Sequence, residues 1–309
     1  MGEEVTVWYD GTLSPASAAT MPVSWMGPRL STAVFDGIRA YWGPDTDGLN
    51  VFRLDDHMQR FARARRFQRM DAPWSDEELT AAVLEVLRAN DFGEDAYVAP
   101  NAFFGIDATA AGGGSMGREC HVAIVARRWP SNLASPQAID CGVSSWVRIA
   151  DNSMPARIKC IANYHNYRLA TLEVQDRGCD HFFAAIMLNQ QGKVSEAAMA
   201  SLFVLRDGAM VTSPVSADIL EGVTRATVMK LCGCLGVEVV ERAIDRTELY
   251  EAEEVFQCGT GSEITPVGSV DGVPVGGGGV GEVTGRVIEL YERVVRGREE
   301  WCRGWLTAV

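Results

Sequence analysis

A chain of 309 residues is long for one compact core and comfortable for two domains. Its net charge of −13 argues against nucleic acid, which needs a basic face to neutralise phosphates, but leaves room for a small anion held by a local arginine or a helix N-terminus. Hydrophobic residues make up 47% of the chain, yet no apolar run approaches the roughly 18–20 residues of a membrane span, so no membrane partner is expected.

The start, Met1-Gly2-Glu3-Glu4, is acidic where a signal peptide is basic and then apolar, which predicts a cytoplasmic protein. Val5 to Tyr9 reads as a strand running into a hairpin turn at Asp10-Gly11. Residues 14–31, rich in Ser, Ala, Pro and Gly, read as irregular. Ala33 to Tyr41 is strand-like with Gly37 in its middle, a sign of a bulge or of another group pressing on the backbone. Val51 to Leu54 completes a β-hairpin, and a basic helix follows from His57 to Phe67, with Met58, Phe61, Ala62 and Arg65 at helical spacing. Ser75-Asp76-Glu77-Glu78 has the form of a capping box, opening a helix with Leu79, Val83, Val86 and Leu87 on its apolar face. Tyr97 to Phe104 and His121 to Val125 read as strands, separated by a small-residue loop at Ala108 to Gly117.

Two prolines break the pattern in residues 129–139, which are expected to link a small N-terminal α+β domain (1–128) to a larger, β-rich C-terminal domain (140–309). Beyond the linker, strands are expected at Cys141 to Val147, His181 to Leu188, Ala200 to Leu205, Met210 to Thr212 and Val237 to Val240, with another beginning at Glu254. Hairpin turns fall at Asn189 to Gly192 and at Asp207-Gly208. Helices are expected over Thr224 to Leu235 and over Val283 to Arg296, the latter burying Val287, Leu290 and Val294. Strands joined by hairpins, with helices in separate blocks, give an α+β fold class rather than a doubly wound sheet. The eight cysteines are scattered and the four histidines dispersed, so reduced thiols and no metal site are expected.

The chemistry centres on Arg157-Ile158-Lys159-Cys160-Ile161-Ala162-Asn163-Tyr164, where Lys159 and Tyr164 stand five residues apart after a loop. Alone, such a lysine reads as a solvated surface residue. Its company changes that reading. Val34-Phe35-Asp36-Gly37-Ile38-Arg39-Ala40-Tyr41 precedes it, and Val194-Ser195-Glu196 with Leu202-Phe203-Val204 follows. Then come Gly222-Val223-Thr224-Arg225, Glu253-Glu254-Val255-Phe256, Gly259-Thr260-Gly261-Ser262-Glu263-Ile264-Thr265-Pro266-Val267, and a glycine-rich close from Gly276.

In this order and spacing, from about residue 30 to 295, the chain resembles the fold-type IV pyridoxal-phosphate enzymes, most of all the branched-chain amino acid aminotransferases. The resemblance implies a two-domain fold, pyridoxal 5′-phosphate as cofactor, an amino acid and a 2-oxo acid as partners, and a homodimer in which one subunit's small domain closes the other's site. Lys159 is implied as the amine that carries the cofactor in a Schiff base and moves the substrate proton, tasks that an amine suits. Glu196 is implied at the pyridine nitrogen, Tyr164 at the phenolic oxygen and Arg60 at the phosphate. The Val223 and Thr224 amides at a helix N-terminus, with the Thr224 and Thr260 hydroxyls, complete the phosphate site. Substrate contacts are implied from Phe35, Gly37, Tyr97 and Ala99, and from Trp129, Gly261 and Ser262. Gly112-Gly113-Gly114 is the candidate segment contributed across the dimer.

Read without that resemblance, Glu196 in its Ala-rich surroundings is expected at the surface, Thr224 is a plain helix cap, Tyr164 is a core residue and Arg60 is one of several solvated arginines. Two departures from the family bear on substrate. Bacterial relatives commonly carry Tyr-Ile-Arg-Pro on the pocket strand, the arginine serving the distal carboxylate of glutamate, where this chain reads Tyr97-Val98-Ala99-Pro100. Either glutamate is a poor donor or another arginine, with Arg39 and Arg148 as candidates, takes over. Trp25 to Leu30 replaces a His-containing segment expected at the pocket entrance. The activity implied is transfer between an L-amino acid with an apolar, branched or modified side chain and a 2-oxo acid. The rivals on the same fold are D-amino acid and (R)-amine transaminases and aminodeoxychorismate lyase; from a different class, a cofactor-free binding protein.

Overall fold

The computed structural model describes residues 4–43, 48–105, 119–177 and 182–309. Gly112, Gly113 and Gly114 lie outside them. The chain divides into two compact units, one of residues 1–130, 158–162 and 294–309, the other of residues 131–157 and 163–293. It crosses from the first to the second within the span expected as linker. The two blocks are nevertheless discontinuous: residues 158–162, Lys159 among them, belong to the first unit, as does the C-terminal end.

The first unit comprises β1 (Thr6–Tyr9), β2 (Thr12–Pro15), α1 (Met26–Leu30), β3 (Val34–Phe35), β4 (Ile38–Gly43), β5 (Gly48–Phe52), α2 (Leu54–Phe67), α3 (Asp76–Asn90), β6 (Ala96–Phe104) and β7 (Cys120–Arg128). With Leu306–Ala308 from the far end of the chain, its strands form an antiparallel sheet in which β6 is flanked by β4 and β3 on one side and β7 on the other. The β1–β2 hairpin turns at Asp10 and Gly11, both at positive φ, and Ser75 and Glu78 close the capping box of α3. That helix buries Leu79, Val83, Val86 and Leu87 against a core that includes Val34, Ile38, Phe61, Val98 and Ile124. Helix α2 begins at Leu54, a turn before the expected His57, with Asp55 and Asp56 in its first turn, where acidic side chains favour the helix dipole. The stretch expected to be irregular holds the short α1. Gly37 interrupts the strand between β3 and β4, and a Cβ there would lie 1.7 Å from the Tyr97 hydroxyl, so the close approach is real.

The second unit comprises β8 (Ile139–Val143), α4 (Asn163–Asp176), β9 (Phe182–Leu188), β10 (Val194–Ala197), β11 (Ser201–Arg206), β12 (Ala209–Thr212), α5 (Val223–Cys234), β13 (Val239–Glu241), β14 (Glu254–Gly259), β15 (Glu263–Val270), β16 (Val273–Pro274) and all but the last two residues of α6 (Glu282–Val295). Its strands form one mixed sheet in the order β10-β9-β8-β15-β14-β11-β12-β13. Tight turns at Gly192 and at Asp207-Gly208, all at positive φ, make the expected hairpins. Val287, Leu290 and Val294 are buried along α6. Cys232 is buried and Cys234 exposed, as their one-residue separation on α5 requires.

Candidate functional site

In the first unit, Lys159 is fixed through its backbone. Its carbonyl accepts from the Phe35 amide at 3.1 Å, Cys160 bridges Val34, and the Ile161 amide donates to the Ala33 carbonyl at 2.9 Å. Residues 158–162 therefore run as a short antiparallel partner of β3. Ile158, Cys160 and Ala162 pack on the core, while the half-buried Lys159 side chain lays its ammonium over the Phe35 ring, 4.9 Å from the centroid.

Behind Phe35 lies a charge cluster that the sequence reading missed. Asp36 is fully buried, and its carboxylate accepts from Arg60 Nε and Nη2 at 2.8 Å each, from the Gly37 amide at 2.7 Å, and faces His57 Nδ1 at 2.8 Å. Burial raises the Asp36 carboxyl, but Arg60 and His57 outweigh it and hold the group below its ordinary range. Burial pulls His57 down, and this overrides the upward pull of Asp36, so the imidazole stays neutral near pH 7. Arg60 is thus no solvated arginine: two of its nitrogens are committed to Asp36. The signal was present, since a carboxylate inside an apolar strand-like run needs a buried partner.

Of the residues expected on the substrate side, Phe35, Tyr97 and Ala99 are strand residues of the first unit's sheet. Directly opposed residues of antiparallel strands share a face, which places Phe35 beside Asn101, Arg39 beside Tyr97, Tyr97 beside Arg127 and Ala99 beside Val125. Tyr97 packs over Gly37 and lies 4.8 Å from Trp129, centroid to centroid. Arg39 gives Nη1 to the carbonyls of Trp129 at 2.7 Å and Pro130 at 3.3 Å. Trp25 stacks on His121 at 4.4 Å.

In the second unit, Glu196 on β10 is 2% exposed, which overturns the surface position expected of an Ala-rich stretch. Its Oε1 accepts from Arg148 Nε at 2.8 Å and from the Tyr167 hydroxyl at 2.7 Å, and its Oε2 accepts from the Leu220 amide at 3.2 Å. Arg148 lies over the Tyr167 ring at 4.5 Å, and its Nη1 is buried without a hydrogen-bond partner. Of the two arginines weighed as replacements for the missing guanidinium, Arg39 gives Nη1 to backbone carbonyls and Arg148 gives Nε to Glu196. Tyr164, half-buried on α4, meets Tyr167 edge to face at 5.2 Å. Burial, and then the Glu196 charge, drive the Tyr167 hydroxyl well above its ordinary range, so it remains a donor.

Leu220 leads into α5, whose N-cap is Gly222 with no side-chain cap; Thr224 is therefore the second helical residue rather than the cap. A Cβ on Gly222 would lie 3.2 Å from Ser201 Oγ, and Ser201 pairs with Cys258, next to Gly259 and the Thr260–Ser262 turn. The buried Val223 and Thr224 and this turn thus belong to one neighbourhood. Ser262 Oγ in that turn is buried and unpaired. Each unit therefore carries its own group of the residues expected at the site: Lys159, Phe35, Gly37, Tyr97, Ala99, Trp129 and Arg60 in the first, and Tyr164, Glu196, Val223, Thr224, Thr260, Gly261 and Ser262 in the second.

Comparison with known proteins adds to this geometry. The sequence model of the family described as amino-transferase class IV matches residues 33–270. A probable branched-chain-amino-acid aminotransferase of Aquifex aeolicus is 35% identical, covering 98% of this chain and 96% of that protein. The crystal structure of a branched-chain aminotransferase from Thermoproteus uzoniensis with norvaline superposes with a TM-score of 0.92 at 38% identity, covering 99% of each chain. A branched-chain amino acid aminotransferase from Thermobaculum terrenum in its PLP form gives a TM-score of 0.92 at 36% identity, over 99% of this chain and 98% of that one.

Proposed function

This chain belongs to the class IV aminotransferases, and from that premise we propose that Lys159 is the amine through which it transfers amino groups between an L-amino acid with an apolar or branched side chain and a 2-oxo acid. The activity is that of a branched-chain-type aminotransferase, and the cofactor is pyridoxal 5′-phosphate. The residues present fit that group. An ionised carboxylate offers about four lone-pair sites, and Glu196 uses three on Arg148, Tyr167 and Leu220. The remaining site suits a pyridinium N–H. This one open acceptor in a buried, otherwise satisfied carboxylate carries the reading. The N-terminus of α5, where Gly222 provides no side-chain cap, suits the phosphate side.

When bound, the cofactor ring takes up the electron pair left at the substrate Cα. The chain's own residues do the rest. Lys159 Nζ holds the cofactor and removes the Cα proton, and the Phe35 ring beneath shields the amine on one face. Glu196 accepts from the ring nitrogen, kept in place by Arg148 and Tyr167. Val223 and Thr224 amides, the Thr224 and Thr260 hydroxyls and Arg60 hold the phosphate; Asp36 orients Arg60 and offsets part of its charge. Tyr164 donates to the phenolic oxygen. Phe35, Gly37, Tyr97, Ala99, Trp129, Gly261 and Ser262 bound the substrate. The reading includes a cytoplasmic homodimer, which sedimentation of the purified protein tests. No helix among the described residues is long and apolar enough to cross a membrane.

Purified protein is expected to show a visible absorbance band that borohydride bleaches and that Lys159→Ala lacks; a colourless protein that cannot be reconstituted contradicts the proposal. L-leucine, L-isoleucine and L-valine are expected to convert the band to the pyridoxamine form. Conversion by D-amino acids or (R)-amines alone, or release of pyruvate from aminodeoxychorismate, moves the reading to the corresponding rival.

A further inference from the structure

The end of the chain returns to the first unit and reaches the seat of Trp129. Residues 294–309 are tied along an edge of the sheet. Leu306–Ala308 pairs with β5, the Arg53 amide donates to the Trp305 carbonyl at 2.6 Å, and the Val309 amide donates to the Leu49 carbonyl at 3.0 Å. Just past α6, Arg296 grips the Asp95 carboxylate with Nη1 and Nη2, the latter at 2.9 Å, and gives Nη1 also to the Trp42 carbonyl at 2.9 Å. The Trp42 amide donates to Asp95 Oδ1 at 2.8 Å. Asp95 is buried and only 16% of the Arg296 side chain is exposed, so this two-pronged pair is not one of the solvated pairs that contribute little.

Two routes lead from Arg296 to Trp129, and every member of both lies in the first unit. The first is backbone. The Asp95 carbonyl accepts from the Trp129 amide at 2.9 Å, so the residue whose carboxylate Arg296 holds also holds the N–H of Trp129. The second runs through a ring. The Arg296 guanidinium lies 5.4 Å from the centre of the Tyr41 ring and that of Arg39 lies 5.9 Å from it, both within cation–π range. Arg39 gives Nη1 to the Trp129 carbonyl at 2.7 Å and faces its indole at 5.3 Å. Tyr41 is fully buried and Arg39 nearly so, and in a close-packed interior neither shifts without disturbing its neighbours. Trp129 thus has its N–H held by Asp95 and its C=O held by Arg39; Arg296 bonds the first and shares a ring with the second. A wall residue fixed in advance lowers the entropy cost of ordering the site when a ligand binds.

We propose that Arg296 is a positioning residue for the substrate side of the first unit: from the end of the chain it fixes the place of Trp129, through Asp95 and through the Tyr41 ring that it shares with Arg39. This rests on the aminotransferase reading above, in which Trp129 bounds the substrate. The test uses holoenzyme of the wild type, of Arg296→Met, Arg296→Lys and Trp129→Ala, and of Arg296→Met combined with Trp129→Ala. Arg296→Met is expected to raise KM for L-leucine roughly three- to tenfold, with kcat changed less. Arg296→Lys, which keeps the charge but not the two-pronged geometry, should recover part of the loss, and it carries the comparison if Arg296→Met does not fold. In the Trp129→Ala background the Arg296 substitution should raise KM by less than about twofold, because the ring it positions is gone. Hydrogen exchange at the Trp129 amide, read on the same proteins, should quicken in Arg296→Met. A KM that does not move, even with a lowered melting temperature, overturns the proposal, as does an increase of equal size in the Trp129→Ala background. Wild-type holoenzyme that no amino acid converts refutes the aminotransferase reading itself; the exchange comparison then still decides whether Arg296 holds Trp129 in place.

Discussion

Each unit buries one carboxylate against one arginine, and the two pairs are finished differently. Asp36 in the first unit takes four contacts, Arg60 twice, His57 and the Gly37 amide, three of them on Oδ1. Glu196 in the second takes three donors, and its arginine leaves Nη1 buried without a partner. Breaking a buried ion pair is costly for either, yet the carboxylate with fewer donors has more capacity left for a ligand. The difference separates a carboxylate that positions an arginine from one that meets the cofactor.

The largest expected effect is on the Asp36–Arg60 pair. Asp36→Ala leaves Arg60 charged and buried beside a neutral site and should cost about 3–5 kcal/mol of stability, read as a lower melting temperature with cofactor present or absent. A melting curve that matches the wild type would show that the cluster is more hydrated than its burial implies. Next is Glu196→Gln, which keeps an acceptor oxygen but removes the charge. It is expected to lower kcat by roughly 10²–10³-fold, the cost of losing one preorganised electrostatic contact, and to shrink the rise in melting temperature that saturating cofactor gives the wild type. If Asp36→Ala instead abolishes that increment and Glu196→Gln preserves it, the assignments are reversed.

The smallest effect is on pH dependence. His57 is held neutral, with its folded pKa below the ordinary 6.5, so the unfolded chain takes the proton first. Its contribution is present above pH 6.5 and is lost as pH falls from there toward the lowered folded value. Asp36, held below the ordinary 3.8, contributes above that pH and loses its contribution as pH falls further. Melting temperature should therefore decline in two stages on acidification. His57→Gln should flatten the first stage, and an unaltered profile would place the early loss on other groups.

Local chemistry was legible in the sequence. The capping box at Ser75, the buried face of α6 and a close approach at Gly37 each follow from a few adjacent residues, although the group that approaches, Tyr97, is 60 positions away. The family order likewise singled out Lys159 and Glu196. The partners of those residues were not legible. Arg148 and Glu196 are 48 positions apart, and nothing local marks which arginine will turn inward. Helix α4 escaped notice because its first turn, Asn163-Tyr164-His165-Asn166, is polar and its apolar stripe is thin, and Tyr167 escaped with it. The return of residues 158–162 to the first unit depends on hydrogen bonds to Ala33, Val34 and Phe35, which periodicity cannot show. Arg296 and Asp95 are 201 positions apart, and only the return of the chain's end to the first unit brings them together.

The chain contains only three lysines, Lys159, Lys193 and Lys230, so one labelling experiment reaches the central claim directly. Holoenzyme reduced with borohydride, digested and analysed by mass spectrometry should carry a single phosphopyridoxyl group, on the peptide that contains Lys159. A label on the Lys193 or Lys230 peptide, or no label on a protein that binds the cofactor, would contradict the account.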